Sequence, residues 1–324
     1  MPPSHVITIG HFDGVHRGHQ AILAEARSAA ARHDARVVAL AFDPHPATIL
    51  RPDRVPPRLV RRDEKIELLC AAGADDVQIL EPSTELLSRT PDQFVHGLLE
   101  RFDLEAVVEG EYFRFGKGRA GDVALLRRMG QAHGFDVRTV AADDVSLSDQ
   151  LQVSASSSLI RWLLVHGRAM DAARCLGRFH TLSGQVVSGA KRGRTIGVPT
   201  ANLDPTALGE LLVPANGVYA GRVRLDDQST LPAAVNVGTK PTFGDAARTV
   251  EAHLLDFDRD LYGQTIRIDL CRWLRDEQRF PGVEALKAQL RRDVDQTRRL
   301  HEGGLLDSTG AAAQHEGIPK LEIR

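Results

Sequence analysis

Two histidines near the N-terminus have the side-chain type and the spacing that phosphate chemistry needs. His16 and His19 are three residues apart, so both rings share one face if the chain is helical there. The N-terminus of a helix favours phosphate through its free N–H groups and its dipole. Two imidazoles at that place can donate further hydrogen bonds to phosphate oxygens. We therefore predict that this pair stabilises negative charge as it builds on a phosphate group.

The residues on either side of the pair predict a strand, a tight turn and a helix. The run from Val6 to Ile9 is typical of a buried strand, and the run from Gln20 to Ala26 is typical of a helix. Glycines between them allow a tight turn and the close approach of a ligand to the backbone. A plain turn with surface histidines is the alternative interpretation. The predicted phosphate site includes Gly10, Phe12, Asp13, Gly14 and Gly18.

Strand-like and helix-like stretches continue to alternate up to about residue 178. This pattern predicts an α/β domain over residues 1–178, with a parallel sheet, helices on both faces and a ligand at the carboxyl ends of the strands. Further strands are predicted over 37–42, 76–80, 104–108 and 135–140, and helices over 63–72, from Pro91, and over 122–129, 156–164 and 168–176.

Beyond residue 180 the pattern changes to short runs separated by turn signals. It predicts a small antiparallel β-barrel followed by an amphipathic helix from Val283 to Leu300, which together form a second domain over 180–302. Residues 303–324 are predicted to be a tail of uncertain order. The predicted barrel strands cover 181–188, 217–225, 233–237, 249–257 and 265–270.

Two more groups of residues have the composition of a phosphate or metal site. Thr200 and Asn202 are two apart on a predicted extended segment, so their oxygens point the same way and suit Mg²⁺. Gly193 and Gly197 allow the backbone to approach phosphate there, although a glycine-rich loop with a Pro-Thr turn is the alternative. Three serines and an arginine at a helix start can hold nucleotide phosphates, although the serines alone are more often caps. These four residues are Ser156, Ser157, Ser158 and Arg161.

Taken together, these segments resemble the family of bacterial bifunctional riboflavin kinase/FAD synthetases. The ten residues from Gly10 to His19 are similar to the HxGH signature of nucleotidylyltransferases, and 42–46 match the family's FDPHP. Residues 193–202, GRTIGVPTAN, resemble its riboflavin kinase signature. The similarity extends over about residues 5–300, with further matching segments at 156–161, 217–220, 236–243, 250–257, 260–263 and 274–280.

The resemblance implies a Rossmann-like nucleotidylyltransferase domain, a riboflavin kinase-like barrel and two reactions. Riboflavin is phosphorylated by ATP to FMN, and FMN is then adenylylated by ATP to FAD with release of pyrophosphate. Glu251 is implied to be the base that accepts the proton of the riboflavin 5′-hydroxyl, with Mg²⁺ near Thr200 and Asn202. The residues implied to bind flavin are Asp43, His45, Pro46, Arg275 and Phe280.

One residue departs from the family pattern, and one motif is misleading. Tyr112 stands where the family usually has Asp or Asn, so any polar contact of that shorter side chain is in doubt. Residues 116–121 formally match G-x-G-x-x-G, but they lie deep in the domain rather than at its first strand–helix turn. We therefore reject a dinucleotide-binding dehydrogenase.

Composition narrows the remaining classes of function. A net charge of -2 and an aromatic content of 5% give no sign of nucleic-acid or membrane binding. The three cysteines are widely separated, no signal peptide or transmembrane run is present, and we expect a cytoplasmic protein with free thiols. The sequence carries no signal for an oligomeric state. Two alternatives stay open: a riboflavin kinase with a degenerate N-terminal domain, and a non-catalytic flavin-binding or flavin-sensing protein.

Overall fold

The protein consists of two compact units. A computed structural model describes residues 4–189, 197–240 and 247–307. The first unit comprises 4–145 and 152–157, and the second comprises 146–151 and the described residues from 158 onward. Separate hydrophobic clusters form the core of each unit.

The first unit alternates strands and helices, as the sequence pattern predicts. Its strands are β1 (His5–Gly10), β2 (Arg36–Phe42), β3 (Asp76–Leu80), β4 (Leu104–Gly110), β5 (Arg114–Phe115), β6 (Gly121–Asp122), β7 (Asp136–Val140), β8 (Asp144–Ser146, whose last residue belongs to the second unit) and β9 (Gln152–Ser154). Its helices are α1 (Arg17–Ala31), α2 (Ala47–Leu50), α3 (Arg62–Ala71), α4 (Thr84–Ser88), α5 (Pro91–Leu99) and α6 (Val123–His133).

Five of these strands form one parallel sheet in the order β3-β2-β1-β4-β7. β1 pairs with β2 on one side and with β4 on the other. The strand order reverses between β1 and β4, because the chain first builds outward to β3 and then returns to the other side of β1. Ligands of such sheets bind at the carboxyl ends of the strands beside this reversal. The turn after β1, which carries His16 and His19, lies at this place.

Short-range signals explain where two of the helices begin. Thr90 and Gln93 form a reciprocal cap at the start of α5: the Thr90 hydroxyl accepts the Gln93 N–H at 3.2 Å, and the Gln93 side chain accepts the Thr90 N–H at 2.9 Å. The Asp122 carboxylate caps α6 by accepting the Leu125 N–H at 2.8 Å. Asp122 is therefore the cap rather than the first helical residue, and α6 continues past the predicted end to His133.

The second unit is built around a closed antiparallel barrel with the strand order β10-β11-β14-β13-β12-β15. This confirms the predicted fold class for the C-terminal half. The barrel strands are β10 (His180–Val187), β11 (Ala201–Leu203), β12 (Gly217–Arg224), β13 (Thr230–Lys240), β14 (Ala247–Leu254) and β15 (Thr265–Arg275). The remaining helices are α7 (Ser157–Val165, whose first residue belongs to the first unit), α8 (Ala169–Leu176), α9 (Pro205–Leu208) and α10 (Val283–Glu302).

Several strand boundaries differ from those that the sequence predicts. β11 was not predicted, since three residues are too few for a clear alternating pattern. β13 and β15 are longer than predicted, because each pairs along its length with strands on both sides. The prediction that the strand of Glu251 continues to Phe257 is wrong. β14 ends at Leu254, and Asp256 takes a left-handed φ of 55° that turns the chain.

The first residues of the predicted tail pack against the second unit. Leu306 is fully buried and contacts a cluster that includes Phe179, Ala220 and Cys271. Asp307 forms an ion pair with Arg222 at 3.5 Å. Residues 308–324 lie outside the described residues. The three cysteines are free, as predicted, and two of them, Cys175 and Cys271, are buried.

Candidate active sites

The turn between β1 and α1 is held in an unusual backbone conformation. Gly14 has a φ of 80°, and two residues with side chains, Phe12 and Val15, have φ values of 49° and 38°. Left-handed backbone is costly for residues with a Cβ and concentrates at functional sites. The Gln20 amide supports the turn by donating to the Val15 carbonyl oxygen at 2.8 Å.

The two histidines lie against each other at the start of α1, as their spacing predicts. His16 is the N-cap residue of the helix, and its ring stacks on that of His19 with centroids 3.6 Å apart. The Phe12 ring meets His19 edge-on at 5.1 Å. A Cβ at Gly18 would come within 3.2 Å of the His16 ring, and one at Gly10 within 3.2 Å of the Phe12 ring. Gly18 therefore makes room for the His16 ring, and Gly10 for the Phe12 ring.

The environment of His19 favours the neutral imidazole. Burial lowers the pKa of His19 well below its usual value of 6.5, and positive charge on His16, His11 and Lys65 lowers it further. A neutral imidazole has one ring nitrogen that donates a hydrogen bond and one that accepts. The donor nitrogen can bind an oxygen of a phosphate.

Asp13 anchors the turn to its surroundings. Its carboxylate accepts the Leu59 N–H at 3.0 and 3.2 Å, and its backbone carbonyl accepts the Ser157 hydroxyl at 2.8 Å. Asp13 is only 7% exposed, so this carboxylate fixes the loop rather than facing solvent. Ser157 thus connects the start of α7 to the histidine turn, which goes beyond the role of a helix cap.

The FDPHP segment lies beside the histidine turn, at the carboxyl end of β2. The His45 ring stacks on that of His11 with centroids 4.3 Å apart. Asp43 is buried and accepts Lys65 Nζ at 2.7 Å and Arg58 Nη1 at 2.9 Å. Burial raises the pKa of Asp43, but the hydrogen bond and charge of Lys65, with those of Arg58, outweigh it and the pKa is lowered. Two cations, Lys65 and Arg58, thus converge on this one carboxylate.

The remaining residues of the predicted N-terminal site lie around this edge or belong to the second unit. Pro46 follows His45 and forms the N-cap of α2. Ser156 precedes α7 in the first unit, whereas Ser158 and Arg161 lie on α7 in the part of the chain assigned to the second unit.

In the barrel, three polar side chains form one rung on the outer face. Glu251 of β14 pairs in register with Asn202 of β11 on one side and with Asn236 of β13 on the other. Their neighbours Val250, Ala252 and the corresponding residues of β11 and β13 point into the core, so the alternation of a strand places the rung outside.

Thr200, two residues before Asn202, lies beside this rung. Its hydroxyl lies 3.5 Å from Glu251 Oε2, to which it donates, and the Asn202 amide donates to the Thr200 carbonyl at 3.2 Å. A Cβ at Gly189 would come within 2.5 Å of the Asn202 amide, so a glycine is required there for Asn202 to take this place. The structure therefore brings together the three predicted residues Thr200, Asn202 and Glu251.

Two cavities meet at Thr200. The larger measures about 340 Å³ and the smaller about 270 Å³. The larger is lined by Glu251, Glu277, Arg275 and Phe280 together with the apolar side chains Val198, Val218, Ala234, Leu286, Leu290 and Val294. The smaller is lined by Pro199, Phe257, Leu261 and Tyr262 and by the charged residues Asp258, Arg259 and Asp260.

Arg275 and Phe280 line the larger cavity, but the arginine is already engaged. Arg275 forms a bidentate ion pair with the buried Asp293 of α10, with distances of 2.7 to 3.2 Å. Its guanidinium carbon lies 5.8 Å from the centre of the Phe280 ring. Arg275 therefore joins the end of β15 to α10 and supports Phe280. Gly197 takes a left-handed φ of 81°, and Gly193 lies outside the described residues.

Two family models match this chain, one on each half. The model described as FAD synthetase matches residues 1–156, and the model described as riboflavin kinase matches residues 176–301. The bifunctional riboflavin kinase/FMN adenylyltransferase of Escherichia coli strain K12 is 37% identical over 289 residues, which cover 89% of this chain and 90% of that protein. This chain belongs to the bifunctional riboflavin kinase/FMN adenylyltransferase family.

Other members and one solved structure cover the same extent. The bifunctional riboflavin kinase/FMN adenylyltransferase of Pseudomonas fluorescens is 38% identical and covers 93% of this chain and 95% of that protein. A crystal structure described as a macrolide-efflux protein from Streptococcus pneumoniae has a TM-score of 0.83 and 29% identity, and covers 92% of this chain and 95% of that one. Over the described ranges of this chain, no helix is long and apolar enough to cross a membrane.

The structure shows the surroundings of Tyr112 and of the G-x-G-x-x-G match, the two unusual features of the half that matches FAD synthetase. Tyr112, at the position where Asp or Asn is usual, is 77% exposed. Two of the three glycines of the G-x-G-x-x-G match serve packing: a Cβ at Gly116 would lie 2.8 Å from Pro91, and one at Gly121 would lie 2.6 Å from the Phe115 ring. They flank the short strands β5 and β6 rather than the first turn of the sheet, which agrees with the rejection of a dinucleotide site.

Three side chains at the family's two candidate sites were not singled out by sequence reasoning. Lys65 and Arg58 reach Asp43 from α3 and from the loop before it. Lys65 and Leu69 are the buried residues of α3. Because residues four apart share one face of a helix, the apolar Leu69 was a sequence signal that Lys65 lies on the buried face. Asn236 lies in a segment that matches the family, but only the pairing of β13 with β14 shows that it flanks Glu251.

Proposed function

We propose that the two activities of the family belong to the two residue clusters described above. The cluster of His16, His19 and the FDPHP segment adenylylates FMN, and the rung of Glu251 with Thr200 and Asn202 phosphorylates riboflavin. The enzyme thus converts riboflavin and ATP to FMN, and then FMN and ATP to FAD and pyrophosphate. The observation that carries the proposal is that each cluster is assembled within one unit, from residues of adjoining strands and turns.

For adenylyl transfer, the nucleophile is the phosphate of FMN, which is already ionised. Its oxygen forms a bond to the α-phosphorus of ATP as the bond to the pyrophosphate oxygen breaks. No base and no covalent enzyme intermediate are required, so the site acts by positioning and by stabilising charge. The stacked imidazoles of His16 and His19 and the N–H groups at the start of α1 supply donors for those phosphate oxygens. Ser156 and Ser157, which belong to the same unit as the histidines, are proposed to hold further phosphate oxygens.

For the kinase reaction, the nucleophile is the 5′-hydroxyl of riboflavin, which must lose a proton. Glu251 is proposed to orient this hydroxyl and accept its proton as the oxygen bonds to the γ-phosphorus of ATP, while the bond from that phosphorus to the bridging oxygen breaks and ADP leaves. Asn202 and Asn236 flank the carboxylate in its rung and limit the positions that it can take.

The two cavities that share Thr200 suit the two substrates of this reaction. The larger has apolar walls and Phe280, which suit the flavin ring, and Glu251 faces it. The smaller has the aromatic residues Phe257 and Tyr262, which suit a nucleotide base, while its charged lining is mixed, since Asp258 and Asp260 accompany Arg259. Because Thr200 and Glu251 are 3.5 Å apart, a hydroxyl in one cavity can meet a phosphate in the other at this point.

The donor atoms at this point also fit Mg²⁺. The Thr200 hydroxyl, the Asn202 side-chain carbonyl and the Glu251 carboxylate are oxygen ligands, which this hard cation prefers. When bound, Mg²⁺ offsets the negative charge of the polyphosphate. Thr200 and Asn202 are proposed to hold it, while Glu251 serves the hydroxyl.

The domain limits and the location of the enzyme are part of the same proposal. The adenylyltransferase domain is proposed to cover 1–178 and the kinase domain 180–302, followed by the tail 303–324. A cytoplasmic location is supported by the three free cysteines.

A mixing experiment tests the assignment of the two sites. The purified protein is incubated with riboflavin, ATP and Mg²⁺, and FMN and FAD are separated over time. Glu251→Gln should convert added FMN to FAD but make no FMN from riboflavin, whereas His19→Ala should accumulate FMN without FAD. A mixture of the two variants should make FAD from riboflavin, because released FMN passes from one protein to the other.

Three outcomes would contradict the proposal. Absence of both products with the wild-type protein would exclude the enzyme itself. Loss of both activities in either single variant would show that the sites are not separate. Retention of both activities in both variants would move the chemistry to other residues.

A further inference from the structure

One buried acidic side chain of the first unit has no part in the site described above. Glu109 is the next-to-last residue of β4 and is 3% exposed. Its Oε1 accepts the backbone N–H of Ile9 at 2.6 Å, and the Thr8 hydroxyl donates to the same oxygen at 3.5 Å. Ile9 directly precedes Gly10, where the histidine turn begins.

Glu109 lies where β1 and β4 part. The backbone pairing of β1 with β4 runs as far as Ile7 opposite Val107. On its other side β1 stays paired with β2 as far as Gly10, and β4 stays paired with β7 as far as Gly110. At the carboxyl end of the pair, the Glu109 side chain therefore takes the place of a backbone acceptor for the Ile9 N–H.

The electrostatics favour a neutral bridge. Burial raises the pKa of Glu109 well above its usual value, although the hydrogen bonds from Ile9 and Thr8 oppose this shift. A protonated carboxyl group still accepts the N–H through its carbonyl oxygen. Length and an acceptor oxygen, rather than negative charge, are thus what this position needs.

We propose that Glu109 is a positioning residue for adenylyl transfer, which ties the end of β1 to β4 and so fixes the start of the histidine turn. The inference rests on the proposed function of His16 and His19, whose turn follows Ile9 after one glycine. Ligands of such sheets bind where the strand order reverses, and here it reverses between β1 and β4, the two strands that the bridge joins. Misplacement of such a site by about 1 Å costs on the order of a hundredfold in rate.

Two substitutions separate length from charge. Glu109→Gln keeps the length and an acceptor oxygen and mimics the neutral carboxyl, whereas Glu109→Asp keeps the carboxyl but is one methylene shorter. We expect Glu109→Gln to adenylylate FMN within about threefold of wild type. Glu109→Asp should lower kcat about tenfold to a hundredfold with little change in KM for ATP. The kinase rate of each preparation is the internal control and should not change.

Opposite results overturn the proposal. A normal rate of adenylyl transfer in Glu109→Asp, together with a reduced rate in Glu109→Gln, would show that the site needs a charge. Normal rates in both would show that the bridge has no effect on the reaction. If Glu109→Asp does not fold, Glu109→Met replaces it, since methionine has a similar length but cannot accept the N–H. Fast hydrogen exchange of the Ile9 amide in folded Glu109→Gln would also overturn the bridge.

His19→Ala belongs in the same series, because it tests the proposed site independently of the role of Glu109. If His19→Ala retains adenylyl transfer, the proposed site itself is wrong. If His19→Ala loses it while Glu109→Asp retains it, only the role of Glu109 is wrong.

Discussion

The two candidate sites present different side chains, and the nucleophiles that we propose for them differ as well. At the edge of the parallel sheet, the chemistry-bearing groups are stacked imidazoles and buried ion pairs around Asp43. On the barrel, they are a carboxylate between two amides in one rung of three strands. The negative charge of a phosphate must be offset by its surroundings, whereas a hydroxyl needs a proton acceptor. This contrast agrees with the proposal that the first site acts on a phosphate and the second on a hydroxyl.

The sharpest test of this contrast removes the carboxylate of the barrel. Glu251→Gln keeps the shape and loses the basicity, so we expect the kinase rate to fall by about 10²–10⁴. FMN adenylylation, measured with FMN as the substrate, should stay close to that of the wild type.

The matched control for this variant is Glu277→Gln, which makes the same change in the same cavity. Its kinase rate should fall by less than the roughly hundredfold that marks loss of a general base. A larger loss in Glu277→Gln than in Glu251→Gln would assign the base to Glu277.

The next largest effect is expected from the imidazole pair. His19→Ala removes one donor from the site, and such a loss typically costs about 10²–10³ in rate. Adenylyl transfer should fall by this factor while the kinase rate is unchanged. The control is His33→Ala, an exposed histidine of the same unit that pairs with Glu105 at 2.9 Å. Equal losses in both variants would remove His19 from the site.

The environment of His19 also predicts a smaller, pH-dependent effect on stability. The folded-state pKa of His19 is lowered, so its contribution to the free energy of unfolding is fully present above the ordinary value of 6.5. Below pH 6.5 the unfolded state takes up a proton more readily than the folded state, and this contribution is lost. When the pH is lowered from about 7.5 to about 5.5, the Tm of the wild type should fall by a few degrees more than that of His19→Ala. Each kcal/mol of lost unfolding free energy lowers Tm by about 2–4 °C. His33→Ala should follow the wild type. Identical pH profiles for wild type and His19→Ala would show that burial does not hold His19 neutral.

The smallest effect is expected at the position that departs from the family. Tyr112 is 77% exposed, so its ring contributes little packing. Tyr112→Asn should change adenylyl transfer by no more than about twofold, as is usual for surface substitutions. A clear gain in rate would show that the shorter polar side chain serves this reaction and that Tyr112 weakens the first site relative to the barrel site.

Residues that act within a short stretch of chain were predictable from the sequence. The spacing of His16 and His19 places them on one face, and Thr200 and Asn202 lie two apart on an extended segment. Local chemistry also accounts for the Thr90 cap of α5 and for the left-handed glycines 167 and 177 that follow α7 and α8, whereas Asp122 was expected inside α6 and is its cap.

Residues that act through pairing between distant segments were not predictable. Asn236 flanks Glu251 only because β13 lies beside β14, and Lys65 reaches Asp43 only because α3 packs near the end of β2. Glu109 meets Ile9 across a gap of 100 positions in the sequence. The left-handed backbone of Phe12 and Val15 has no sequence signal, since β-branched and aromatic residues normally avoid it.

The buried position of Leu306 has a practical meaning for anyone who shortens this chain. The riboflavin kinase model matches only to residue 301, and a gene truncated there would remove a side chain that is fully buried against Phe179, Ala220 and Cys271. Loss of a buried leucine typically costs about 2–5 kcal/mol, and here it would also uncover the Cys271 thiol to oxidants. A stop codon placed after residue 307 keeps Leu306 in its cluster, and an affinity tag attached beyond it leaves Cys271 covered.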